Sequence, residues 1–126
     1  MTSPAVPPAL RHFIVKHIHS IAEMEALVMM VKAPDTVWTV ELMAARLYVS
    51  SAEATIVLRQ MTAHGLTEKQ GEGHCFACRT PEVTANAEAV VALYAEQLIA
   101  VTHLIHANRP ARVQAFADAF QLRKKE

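Results

Sequence analysis

With only three glycines among 126 residues, the chain has no glycine-rich phosphate loop, and it carries neither a nucleophile elbow nor a metal-binding helix motif. An enzymatic role has nothing to rest on. Its two cysteines, Cys75 and Cys78, are too few and too close to build a disulfide framework, which suits a reducing cytoplasm. Charge of one sign is missing too: twelve Lys plus Arg balance twelve Asp plus Glu, so no strong basic field draws the molecule toward nucleic acid. Nor is there a long apolar run. The most apolar stretch, residues 89–107, is broken by Glu96, Gln97, His103 and His106, which excludes an ordinary spanning helix. The opening MTSPAVPPAL has three prolines and no basic start, unlike a secretory signal or anchor, and reads as a flexible arm over residues 1–10. These absences describe a soluble cytoplasmic protein away from the membrane, for which neither cofactor nor metal is expected.

What remains is a hydrophobic fraction of 52%, enough for a single core at this length. Residues 11–19 suit a short helix or an extended arm packed on the body. Ser20 and Glu23 have capping-box spacing, and Met24, Leu27, Val28 and Val31 recur with helical period before Pro34, predicting a helix over 21–32. Thr39 caps a short helix over 40–47. Tyr48 and Val49 make a tight connection to a second capping box, Ser50 with Glu53, opening a helix that runs to about His64. Gly65 is placed to close that helix in the left-handed conformation. Segments 66–70 and 74–79 then flank Gly71-Glu72-Gly73 as a hairpin. Thr84 is a candidate cap for a long helix over 85–107, and Pro110 suits the first turn of a last helix reaching Leu122.

Helix, short helix, tight turn, helix, glycine and hairpin is the order of a helix-turn-helix with an added β-wing. The stretch TVWTVELMAARLYVSSAEATIVLRQMTAHGLTEKQGEGHCFAC resembles the MarR-type bacterial winged-helix regulators in its apolar second helix, Ser-capped third helix and Gly-Leu entry to the wing. The expected fold is mainly α (α+β): a winged helix-turn-helix over 11–82 with a two-stranded wing, and a C-terminal helical dimerisation extension over 83–126. The resemblance implies a transcriptional regulator whose third helix enters the major groove of double-stranded DNA. The contact candidates there are Ser51, Thr55, Arg59 and Gln60. Arg59 and Gln60 have the chemistry for guanine and adenine edges, and Thr55 for a thymine methyl or a phosphate. Lys69 and Arg79 on the wing would touch backbone. Residues 50–64 carry only Glu53 and Arg59 as fixed charges, and Glu68 and Glu72 cancel Lys69 and Arg79. Poverty of charge on this face, with Ile56 among its outward residues, keeps a protein partner beside DNA as the alternative occupant.

Along the long helix, Val91, Tyr94, Leu98, Val101 and Ile105 form one apolar seam, and Val90, Leu93, Ala100 and Leu104 a second. Two seams ask for contacts on two sides, one with the winged domain and the other with a partner subunit, hence the expectation of a homodimer; either seam could form it, and the interface candidates are the residues of the first, with Phe116 and Phe120 folding back on the pair. The basic residues from Arg109 onward read as a solvated tail. Cys75 and Cys78, three apart in an extended strand, lie about 10 Å apart on opposite faces, which suits neither a disulfide nor a zinc site. His103 and His106 lack an obvious third ligand and read as ordinary surface or half-buried side chains.

Overall fold

A computed structural model describes residues 6–107 of the chain. Its elements in order are α1 (Pro8–His17), α2 (Ile21–Lys32), α3 (Val40–Leu47), α4 (Ser51–Ala63), β1 (Thr67–Gln70), β2 (Gly73–Phe76) and α5 (Pro81–Glu96). A further helical stretch, α6 (Leu98–Ala107), ends at the last described residue. The fold is mainly helical, with one two-stranded antiparallel sheet among the described residues.

Local chemistry sets most helix starts. The Ser20, Thr39 and Ser50 side-chain oxygens accept the backbone N–H groups of Glu23, Leu42 and Glu53, each at 3.1 Å, satisfying donors that the first turns of α2, α3 and α4 leave open. Glu23 reaches back one residue further than a simple capping box, accepting from the His19 N–H at 3.0 Å. At its other end α4 closes in a Schellman arrangement. The Leu66 N–H donates to Met61 O and the Gly65 N–H to Thr62 O, both at 3.0 Å, with Gly65 at φ 76. Leu66 is thereby driven into the core, where it is fully buried.

α2 is the central element, touching α3, α4, α5 and β2, while α1 packs on α5. Met24, Leu27 and Met30 of α2, Ile14 of α1, Met43 of α3, Leu58 and Met61 of α4, Val90 of α5 and Ile105 of α6 are fully or almost fully buried in one cluster. The Tyr94 hydroxyl adds a polar tie across α2 and α5, donating to Glu25 Oε2 at 2.5 Å. The hairpin is linked to the segment before α3 as well. Trp38 and His74 exchange two backbone hydrogen bonds, at 2.7 and 2.8 Å, which makes Trp38 a one-residue third rung beside β2.

Three boundaries differ from the sequence expectations. The first is the N-terminal arm: Val6 is buried and α1 begins at Pro8, so residues 6–10 belong to the body. Proline at the first helical position has no N–H to leave unsatisfied, which favours a start there. The second is the start of α5, capped by Thr80, whose Oγ1 accepts from Val83 N at 3.1 Å with Pro81 at the first position. Thr84 lies inside the helix and returns its hydroxyl to Thr80 O at 3.2 Å. A division at residue 82/83 therefore falls within α5's first turn, and the residues beyond it share the common core. Third, the continuous helix expected over 85–107 is broken at Gln97 (φ −124, ψ 51), and α6 turns away from α5 by 114°. Bending returns Val101 and Ile105 to the core. Among the described residues no single helix is long and apolar enough to cross a membrane.

Candidate nucleic-acid interface

α3 and α4 are packed together and joined by residues 48–50 alone. Tyr48 makes the corner in the left-handed region (φ 59, ψ 44), and the Val49 N–H returns to Ala44 O at 3.1 Å. For a residue other than glycine that conformation is uncommon. Its side chain nevertheless stands 94% exposed beside the start of α4.

Ala54, Val57, Leu58 and Met61 bury one side of α4. Ser51, Thr55 and Arg59 follow one another at four-residue spacing on a solvent-facing stripe. Arg59 is exposed and free to extend. Thr55 is half-buried, and its hydroxyl donates to Ser51 O at 2.8 Å, so it meets a partner as methyl and acceptor only. Gln60 lies about 100° further round the helix. There it joins Glu53 and Ile56 beside the N-terminal end of α2. The four candidates on α4 thus occupy two adjoining stripes, with Arg59 as the one cation between residues 51 and 63.

The hairpin pairs Thr67 with Phe76, Glu68 with Cys75, Lys69 with His74 and Gln70 with Gly73, leaving Gly71 and Glu72 as its turn. Lys69 is exposed near that turn. Arg79 sits at the opposite end, where its N–H donates to Gly65 O at 3.0 Å and its side chain lies over Gly65. A Cβ at Gly65 would come within 2.6 Å of Arg79 Nε. The two cations are therefore separated, Lys69 toward the tip and Arg79 at the foot beside the end of α4.

Helix and hairpin meet at one hydroxyl. Thr62 Oγ1 donates to Leu58 O at 2.9 Å and lies 2.9 Å from Thr67 Oγ1 and 3.0 Å from His74 Nδ1. A hydroxyl has one proton. With that proton on Leu58 O, Thr67 and His74 are both donors to Thr62, which puts the neutral His74 proton on Nδ1. Burial, with the Lys69 charge second, holds the His74 pKa below the ordinary histidine value and favours this neutral ring.

Sequence spacing gave no hint of a histidine cluster at the base of α4. The His64 ring lies 4.8 Å from that of His19 and 5.6 Å from that of His17, both edge-on, and His17 packs at 4.7 Å on Phe13. Burial first, then the neighbouring His64, Lys16, His12 and His19, lower the His17 pKa to about 4. Among the described residues no group of three His, Cys, Asp or Glu side chains is arranged to hold a metal ion. Cys75 and Cys78 are free and half-buried. Burial pushes the Cys78 thiol up, Glu88 adds to this, and a hydrogen bond with Thr84 opposes it. A thiol so placed is a weak nucleophile.

Most of the expected dimer seam is spent inside the chain. Val91, Tyr94, Val101 and Ile105 are buried in the common core, while Leu98 is 53% exposed at the α5–α6 corner beside Ile99, itself 69% exposed. Phe116 and Phe120 lie outside the described residues. Comparison with protein-family models, curated proteins and solved structures returns no match to this chain.

Proposed function

We propose that the chain is a winged helix-turn-helix protein of the cytoplasm that binds double-stranded DNA as a homodimer and regulates transcription. The observation that carries this reading is the α3–α4 pair. A three-residue connection presents the outer stripe of α4 to solvent with Arg59 on it, and the hairpin follows immediately, tied to α4 through Thr62. The Trp38 rung beside β2 supports the winged arrangement, in which a short extended segment before the second helix joins the hairpin. Arg59 would read a base edge, Ser51, Thr55 and Gln60 would flank it, and Lys69 and Arg79 would meet phosphates on either side. So few cations imply weak binding per subunit and a shallow salt dependence, which pairing of two half-sites offsets. Leu98 and Ile99 supply apolar surface for the pairing.

A second reading keeps the fold and replaces DNA by protein. Tyr48, 94% exposed beside the start of α4, and Ile56, 56% exposed on the stripe adjoining that of Arg59, bring apolar area to the exposed side of α4, a mixture suited to protein contacts. Selection from a pool of random duplexes at low and near-physiological salt separates the two. Enrichment of a two-fold symmetric site, weakened by about 1–3 kcal/mol in Arg59→Ala, supports the regulator. Salt-sensitive binding with no enriched sequence refutes it and favours the protein partner.

A further inference from the structure

The last residue of α1, His17, lies between two rings: Phe13 of the same helix at 4.7 Å and His64, from the end of α4, at 5.6 Å. His19 also meets His64 edge-on, at 4.8 Å, and Ile18, between the two in the chain, is fully buried. Imidazoles thus hold the end of α4 against the corner between α1 and α2.

One nitrogen makes this contact conditional on pH. His17 Nδ1 is shut off from water and has no hydrogen-bond partner among the described residues. An N–H is harder to leave unpaired in such a place than a bare lone pair, so the neutral ring carries its proton on Nε2. A second proton must then go onto Nδ1, which creates a buried cationic donor with no acceptor. The charges that act on the ring all have its own sign: His64 at the end of α4, Lys16 and His12 on α1, and His19, with no carboxylate of α2, α4 or α5 among them. Burial first, and then these neighbours, hold the His17 pKa down at about 4. His17 is nevertheless only half-buried and stands at the end of its helix, so a change of side-chain rotamer takes the charge to water.

We propose that this ring is an acid-released latch: proton uptake at Nδ1 swings His17 out from between Phe13 and His64 and frees the end of α4 from the α1–α2 corner. The fold outlasts the release, because Phe13, Ile14 and Ile18 keep their places in the core. The latch uses none of the side chains assigned to the outer face of α4, so it operates whichever partner that face meets.

The full chain, labelled on histidine ring nitrogens and backbone amides, is followed by NMR from about pH 7.5 to about pH 3.5, a range that spans the ordinary histidine value. Three results are expected: an Nε2-protonated His17 ring at the neutral end, loss of its contacts with the Phe13 and His64 rings in step with its own titration near 4, and shifts at the amides of residues 63–66 while Trp38 fluorescence stays native. If acid unfolds the chain first, His17→Lys at about pH 7.5 replaces the titration, since its charge is permanent there. It should shift the amides of residues 63–66, and His17→Gln should not. A proton on Nδ1 at the neutral end, ring contacts that survive the titration, or the same behaviour of residues 63–66 in both variants overturns the latch.

Discussion

Substituting Gly73 by alanine tests whether the hairpin is anchored to the segment before α3. A Cβ at this position would lie 2.7 Å from Trp38 O, 2.9 Å from Trp38 C and 2.8 Å from Val37 Cγ1. The first two are backbone atoms, which cannot swing aside as a side-chain tip does. Restoring ordinary contact moves the two segments apart by roughly 0.7 Å, since carbon atoms pack comfortably near 3.5 Å. That displacement stretches the two Trp38–His74 hydrogen bonds, now 2.7 and 2.8 Å, toward the limit of useful geometry. At about 1 kcal/mol for each backbone bond, Gly73→Ala should lose about 2 kcal/mol, a fall of about 8 °C in Tm for a domain of this size. Trp38 is the chain's single tryptophan and only 4% exposed, so its fluorescence reports the site directly. Urea unfolding followed by that fluorescence should show a lower midpoint and a red-shifted native spectrum. Glu72→Ala, exposed in the neighbouring turn, should change stability by under about 0.5 kcal/mol. Wild-type stability with an unshifted spectrum in Gly73→Ala would refute the close approach and with it the third rung.

Acid should loosen the base of α4. Unfolded, His17 titrates near 6.5, and folded, near 4, so the unfolded chain holds the extra proton between those values and stability falls as pH drops through them. His17→Gln should flatten that part of the stability profile, and an unchanged slope would assign it to other groups. At the alkaline end, burial and then Glu25 push the Tyr94 pKa up to about 12 from 10, so stability falls as pH rises above 10. Tyr94→Phe should remove that loss and cost about 2 kcal/mol near neutrality by deleting the bond to Glu25, as thermal unfolding would measure. Thr80→Ala should cost about 1 kcal/mol through the lost α5 cap, and Thr84→Ala clearly less. The reverse order by chemical denaturation would move the helix start to Thr84.

What sequence could disclose here was local. Ser20, Thr39 and Ser50 each have a short polar side chain three residues ahead of the amide it accepts from, and Gly65 supplies the one conformation that ends α4 and buries Leu66. Such signals need no knowledge of the rest of the chain. At α5 two threonines compete as caps, and the deciding clue was Pro81, which suits the first position after Thr80. The break at Gln97 has no comparable marker. Residues 85–107 satisfy helical periodicity throughout, and only the demand that Val101 and Ile105 share the core with Val91 and Tyr94 bends them. The same limit applies to the site. Ser51, Thr55 and Arg59 on one stripe follow from helical spacing alone. The Trp38–His74 rung, the meeting of His17, His19 and His64, and the seating of Glu23 against α4 join residues distant in sequence, and no pattern in any one segment announces them.

At Thr62 one hydroxyl serves α4, β1 and β2 together, with its donor and both acceptor directions occupied. Turning the hairpin relative to the helix would strand at least one half-buried polar group, which costs free energy. Helix and hairpin then behave as a single rigid jaw. Whatever meets both surfaces finds their angle already set, and little of the binding free energy is lost in ordering them. A surface spanning helix and hairpin would have to match the angle that this joint sets.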